Sequence, residues 1–210
     1  MILESFPVGL LGCNCTVIGD ETSHEALVID PGGNPERIEE RLVRHDLTVK
    51  QILLTHAHID HIGALAAMKQ RTGAPVFLCG DDLALLQAAG QQAAMFGMPT
   101  PEAVLPDEGL SDGQTVGLAN HPATVLHTPG HTQGSVCFYF AAEHLLIAGD
   151  TLFAGGIGRT DLPGGNADQI FASIRTKLLT LPDATAVVTG HGPATTIGAE
   201  RVGNPFLQGM

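Results

Sequence analysis

The stretch Thr55-His56-Ala57-His58-Ile59-Asp60-His61 sets three imidazoles and a carboxylate within seven residues, directly after the apolar run Ile52-Leu53-Leu54. Imidazole and carboxylate donors suit zinc, and also iron or manganese. A chance H-x-H-x-D-H is expected roughly once in a thousand chains of this length and composition. The segment therefore reads as a metal site placed where a buried strand ends. The same grammar recurs along the chain. Thr124-Val125-Leu126 runs into His127-Thr128-Pro129-Gly130-His131, the run Leu145 to Gly149 delivers Asp150, and Val187 to Gly190 delivers His191. Ligands leaving several strand termini collect on one rim of a rigid scaffold. Glycines beside these positions (Gly63, Gly130, Gly149, Gly190) allow tight turns and close backbone approach to an ion. The candidate set is His56, His58, Asp60, His61, His131, Asp150 and His191, enough for two ions if one carboxylate bridges them.

The 210 residues, 44% apolar, are enough for one compact domain with a two-layer core. A net charge of −12 and only ten Lys and Arg argue against nucleic-acid partners. The N-terminus lacks the basic region of a secretory signal, and no apolar run is long enough to span a membrane. The expectation is a soluble cytoplasmic protein. Its four cysteines form no C-x-x-C pair, which fits reduced thiols; Cys13 and Cys15 are expected on opposite faces of a strand and so not on a shared metal.

Short β-type runs at 15–18, 27–29, 52–54, 76–78, 123–126, 135–140, 145–147 and 186–188 alternate with helical stretches, an α/β pattern. Helices are expected over 35–45, 62–72, 82–94 and 167–181, with a short one from 198. Asn34 is expected to cap the first, and Asn166 with Gln169 to form a capping box. The segment 91–108 is the least regular; Met95, Phe96 and Met98 are expected to pack under a loop, a lid being the other reading.

The spacing His56-x-His58-x-Asp60-His61, followed by His131, Asp150 and His191, resembles the metallo-β-lactamase superfamily nearly end to end. Asn14-Cys15, Thr128 to Ser135, Gly149-Asp150-Thr151-Leu152-Phe153 and Gly158-Arg159-Thr160-Asp161 are similar to its glyoxalase II branch, in the short single-domain form. The resemblance implies an αββα sandwich with the metals at one edge of the paired sheets. It assigns His56, His58 and His131 to one ion and Asp60, His61 and His191 to the other, with Asp150 as the bridge. It implies two divalent ions, zinc first and iron or manganese as alternatives. The chain then reads as one domain over 1–210, without the C-terminal helical domain that completes the glutathione site in longer members.

Two cations sharing a carboxylate can hold a water and lower its pKa toward neutrality, so a bridging hydroxide becomes the nucleophile and no Ser or Cys is needed. Asp60 would orient that hydroxide. The implied substrate is a small glutathione-derived thioester such as S-D-lactoylglutathione. Arg159 falls where the family sets a basic residue on the glutathione moiety; the bland alternative is an internal pair with Asp161. Asp161 itself replaces the aromatic residue usual there. Two rivals remain: an iron-dependent persulfide dioxygenase, using only His56, His131 and Asp150, and a non-catalytic metal-binding protein. A β-lactamase is disfavoured because Asp150 stands where those enzymes usually place Cys or Ser. The sequence leaves oligomeric state open.

Overall fold

The apolar runs that precede the candidate ligands are buried strands. The computed structural model describes residues 1–208 and divides into two units, residues 1–110 with 117–121, and residues 111–116 with 122 onward.

In the first unit, six strands lie side by side in sequence order: β1 (Ile2–Val8), β2 (Cys13–Gly19), β3 (Glu25–Ile29), β4 (Thr48–Leu53), β5 (Val76–Cys79) and β6 (Glu108–Leu110). β1 to β3 are antiparallel, and β3 to β6 are parallel. Parallel strands are buried on both faces, which is why β3 reads as the unbroken run Ala26-Leu27-Val28-Ile29. Helices α1 (Pro35–Arg44), α2 (Ile59–Ile62), α3 (Leu65–Thr72), α4 (Leu83–Gln87) and α5 (Ala89–Met95) fill the connections, with one 3-10 turn at Gly80–Asp82. Val28, Ile38, Ile52, Leu54, Met68 and Leu78 form its core. Since β3, β4 and β5 share one direction, Asp30, His56 and Asp82 all leave the same edge of the sheet.

The second sheet has the order β14-β13-β10-β9-β8-β7, with β7 (Thr115–Leu118), β8 (His121–His127), β9 (Val136–Phe140), β10 (Leu145–Gly149), β13 (Ala186–Thr189) and β14 (Thr195–Thr196). β11 (Leu152–Phe153) and β12 (Gly156–Ile157) make a separate hairpin. α6 (Ala167–Ser173) runs on into a π turn, Ile174–Leu178, and α7 (Ile197–Gly203) follows β14. Cys137, Leu146, Ala148, Ile170, Ile174 and Val187 pack as the core. β8, β10 and β13 point the same way, so His131, Asp150 and His191 leave one edge.

All eight expected strands are present, and the structure adds short or edge strands. β1 carries Pro7, tolerable because only one side of this edge strand must pair. Several expectations change. The helix expected over 82–94 is broken at Ala88 into α4 and α5, and that over 62–72 is preceded by the single turn α2. Asn34 does not cap α1: it sits in the left-handed region at φ 49°, and its Oδ1 accepts the Gly9 N–H at 2.7 Å. Asn166 does cap α6 by accepting the Gln169 N–H at 3.0 Å, but the Gln169 side chain turns to Gln133 instead of closing the box. Cys13 and Cys15, two apart on β2, share a face, as the period of two requires; all four cysteines are buried and reduced. Met98 packs against the core as expected, whereas Met95 is 68% exposed.

Gly130 adopts φ +135°, and a Cβ there would run into the backbone of Ile170 on α6. Gly130→Ala should therefore lower stability by about 3 kcal/mol. A chemical denaturation midpoint equal to that of the parent would contradict this packing.

Candidate metal centre

In the first unit the site is built around Asp30, which follows β3. Asp30 is 2% exposed and held at φ 52°, a conformation Asp tolerates better than most residues. Its Oδ1 accepts the Thr55 N–H at 2.8 Å; its Oδ2 accepts the Thr55 hydroxyl at 2.6 Å and lies 2.9 Å from His61 Nδ1. Assigning the Nδ1 proton to this bond leaves Nε2 as the donor atom of His61, the usual arrangement for a metal-ligating imidazole. Cys13 Sγ lies 3.4 Å from the same Nδ1, and burial pushes its thiol up to about 12, so it stays a neutral thiol.

Around Asp30 the heptad folds back on itself. The His56 ring lies 4.0 Å from that of His61 and 4.8 Å, edge on, from that of His58. Thr55 Oγ1 sits 3.0 Å from His56 Nδ1. Asp60 lies in the single turn of α2, with its Oδ2 3.8 Å from His61 Nε2. His56, His58 and His61 are at most 8% exposed. Three buried imidazoles packed against carboxylates lose hydration without gaining an apolar environment, a loss that a bound cation would offset. The donor set therefore fits a divalent metal of the zinc, iron or manganese kind.

The second unit gathers His131, Asp150 and His191. His131 Nδ1 donates to the Arg159 carbonyl at 2.7 Å, which turns Nε2 toward Asp150. Asp150 Oδ2 lies 3.5 Å from His131 Nε2 and 3.7 Å from His191 Nε2, so two imidazoles converge on one carboxylate oxygen. Gly190 must be glycine for this, since a Cβ would collide with Asp150 Oδ1. The Thr189 hydroxyl donates to the His191 carbonyl at 2.7 Å and steadies the turn after β13.

Each unit thus brings together its own share of the expected ligands. Arg159 reaches His131 through its carbonyl, while its guanidinium makes a two-bond fork to Asp161, both bonds 2.7 Å, with both side chains largely exposed. The fork holds the Asp161 carboxyl down at about 2. His127 Nε2 lies 2.9 Å from the Gln133 carbonyl. Sequence reasoning missed Asp30, although it obeys the rule that found the others, a carboxylate ending the apolar run Ala26 to Ile29.

The sequence pattern described as the metallo-β-lactamase superfamily matches residues 8–191. The chain is 42% identical over 209 residues to a protein named hydroxyacylglutathione hydrolase GloC from Haemophilus influenzae, covering 99% of this chain and 98% of that one. A crystal structure described as BLEG-1 B3 metallo-β-lactamase superposes with a TM-score of 0.93 at 40% identity, over 99% of this chain and all of that one. TTHA1623, crystallised in a di-iron-bound form, gives a TM-score of 0.87 at 40% identity, over 96% and 98% of the two chains. The two mixed sheets with their helices are the two-sheet fold of these structures.

Asp30→Asn keeps the shape and the left-handed backbone but removes the charge that orients His61. Its affinity for zinc, measured by chelator competition, should fall about 10- to 100-fold. An unchanged affinity would separate Asp30 from metal binding.

Proposed function

Because the chain belongs to the metallo-β-lactamase superfamily, we propose that its two ligand groups join in one domain as a dinuclear centre that hydrolyses a glutathione-derived thioester. His56, His58 and His131 would hold one ion and Asp60, His61 and His191 the other, with Asp150 shared between them. The observation that carries this reading is the convergence of His131 and His191 on a single Asp150 oxygen. Zinc is the first assignment; the di-iron-bound relative keeps iron in view. Bound divalent metal would acidify water and polarise an acyl carbonyl.

The chain's own residues supply the rest. Asp60, the more exposed carboxylate beside His61, accepts a hydrogen bond from the attacking water and orients it. Asp30 and the Arg159 carbonyl fix the ring directions of His61 and His131. No side-chain nucleophile is required. Ser135 is tied to Thr132 at 2.7 Å and Cys137 is buried. A thioester suits such a site because its thiolate leaves without obligatory protonation. The substrate class follows the similarity to the GloC protein. Arg159 is the candidate for the acidic leaving moiety, exchanging Asp161 for a substrate carboxylate in the same fork geometry. Four reduced cysteines fit a cytoplasmic enzyme, and no helix among the described residues is long and apolar enough to cross a membrane.

The test is turnover of S-D-lactoylglutathione by metal-loaded protein, beside a β-lactam and, with oxygen uptake, a glutathione persulfide. Thioester hydrolysis as the fastest reaction is expected; faster β-lactam opening or persulfide oxidation would replace the reading. Arg159→Ala should raise KM for the thioester about fivefold, equivalent to about 1 kcal/mol, with metal content unchanged. An unchanged KM would remove Arg159 from the substrate site.

A further inference from the structure

Between Thr55 and Ile59 the chain is buried yet belongs to no strand, so its backbone polar groups need other partners. Asp30 takes the Thr55 N–H and the His58 carbonyl accepts the His61 N–H, while two further side chains serve the middle of the segment. The Ala57 N–H donates to Asp82 Oδ2 at 3.0 Å, the Ala57 carbonyl accepts from Gln92 Nε2 at 3.1 Å, and the Ile59 N–H donates to Gln92 Oε1 at 3.0 Å. Gln92 Nε2 also donates to the Leu85 carbonyl at 2.8 Å, which anchors the carboxamide to α4. Gln92 is 8% exposed and Asp82 1%.

The pattern has a specific meaning. A residue in a parallel strand grips its neighbour by donating to the carbonyl on one side of a facing residue and accepting the N–H on the other side. The carboxamide of Gln92 does this across His58. β4 and β5 pair in parallel, and their pairing continues as far as the Leu54 N–H on the Phe77 carbonyl. Beyond that point β5 turns away into Gly80–Asp82 and α4. Asp82 and Gln92, from the segment that follows β5, continue the hydrogen bonding where the neighbouring backbone has left. His58 keeps extended backbone angles, φ −71° and ψ 149°, immediately before α2 begins.

We propose that Gln92, helped by Asp82, is a positioning residue for the metal loop: its side-chain amide substitutes for a parallel-strand backbone across His58 and so fixes the direction of that imidazole. This explains why a buried glutamine sits on an otherwise small and apolar face of α5, and it gives the irregular segment that carries α5 a task at the site. The proposal rests on the reading of the heptad as a metal loop, but not on the identity of the substrate.

Gln92→Met preserves volume and removes all three hydrogen bonds. We expect zinc affinity, measured by chelator competition, to fall about tenfold, kcat to fall with KM little changed, and exchange of the Ile59 amide to accelerate. Thr72→Val, which deletes the hydroxyl bond to the Met68 carbonyl in the same unit, should lose stability but keep wild-type zinc affinity. Should Gln92→Met not fold, Gln92→Glu carries the test. It retains the acceptor for Ile59 but sets a carboxylate against the carbonyls of Ala57 and Leu85, and the same loss of affinity is expected. Zinc affinity within about twofold of wild type in the folded Gln92 variant would overturn the proposal. Wild-type protein that binds no metal would instead overturn the reading of the loop.

Discussion

The Asp30 carboxylate takes the backbone and hydroxyl hydrogens of Thr55 and faces the ring of His61, all within 2.9 Å. One buried side chain thereby ties the end of β3 to both the start and the finish of the histidine loop. A buried carboxylate is expensive unless its lone pairs are used, and here they are used by the segment whose geometry matters. The loop between Thr55 and Ile59 has no strand of its own. It is held by side chains: Asp30 at its ends, Asp82 and Gln92 in its middle.

The second unit solves the same problem differently. Its ligands come singly from three strand ends: the Arg159 carbonyl orients His131, the Thr189 hydroxyl closes the turn that carries His191, and the absence of a side chain at Gly190 gives Asp150 its place. Because β8, β10 and β13 run in one direction, their C-terminal ends lie on one edge of the sheet, and the long connection from β10 to β13 through α6 returns the chain to it. Direction of strands is thus what converts scattered positions in the chain into a constellation.

Much of this was legible from residues alone. The eight apolar runs are strands, and the ligand segments fall at their ends, because burial on two faces leaves an unmistakable apolar signature and the polar residues that interrupt it stand out. The short strands β11, β12 and β14 were not legible: two residues carry no period. The break at Ala88 was not legible either, since apolar residues at helical spacing continue through it. Asn34 looked like a helix cap and instead pins Gly9, a long-range contact that local chemistry cannot announce. At the site, ligand types and spacing identified the candidates, whereas Asp30, Asp82 and Gln92 act on backbone groups that any sequence possesses. On sequence grounds Arg159 could pair with Asp161 or with a substrate, and its guanidinium lies on Asp161.

We propose that seven residues hold two metal ions through a shared Asp150. Metal analysis of purified, reconstituted protein beside its Asp150→Ala variant tests it most directly. The account predicts two equivalents per chain in the parent and loss of both from the variant, because removing the bridge leaves each ion without a ligand and without its neighbour's compensating charge. Two tightly bound equivalents in the variant, or a single equivalent in the fully loaded parent, would contradict it.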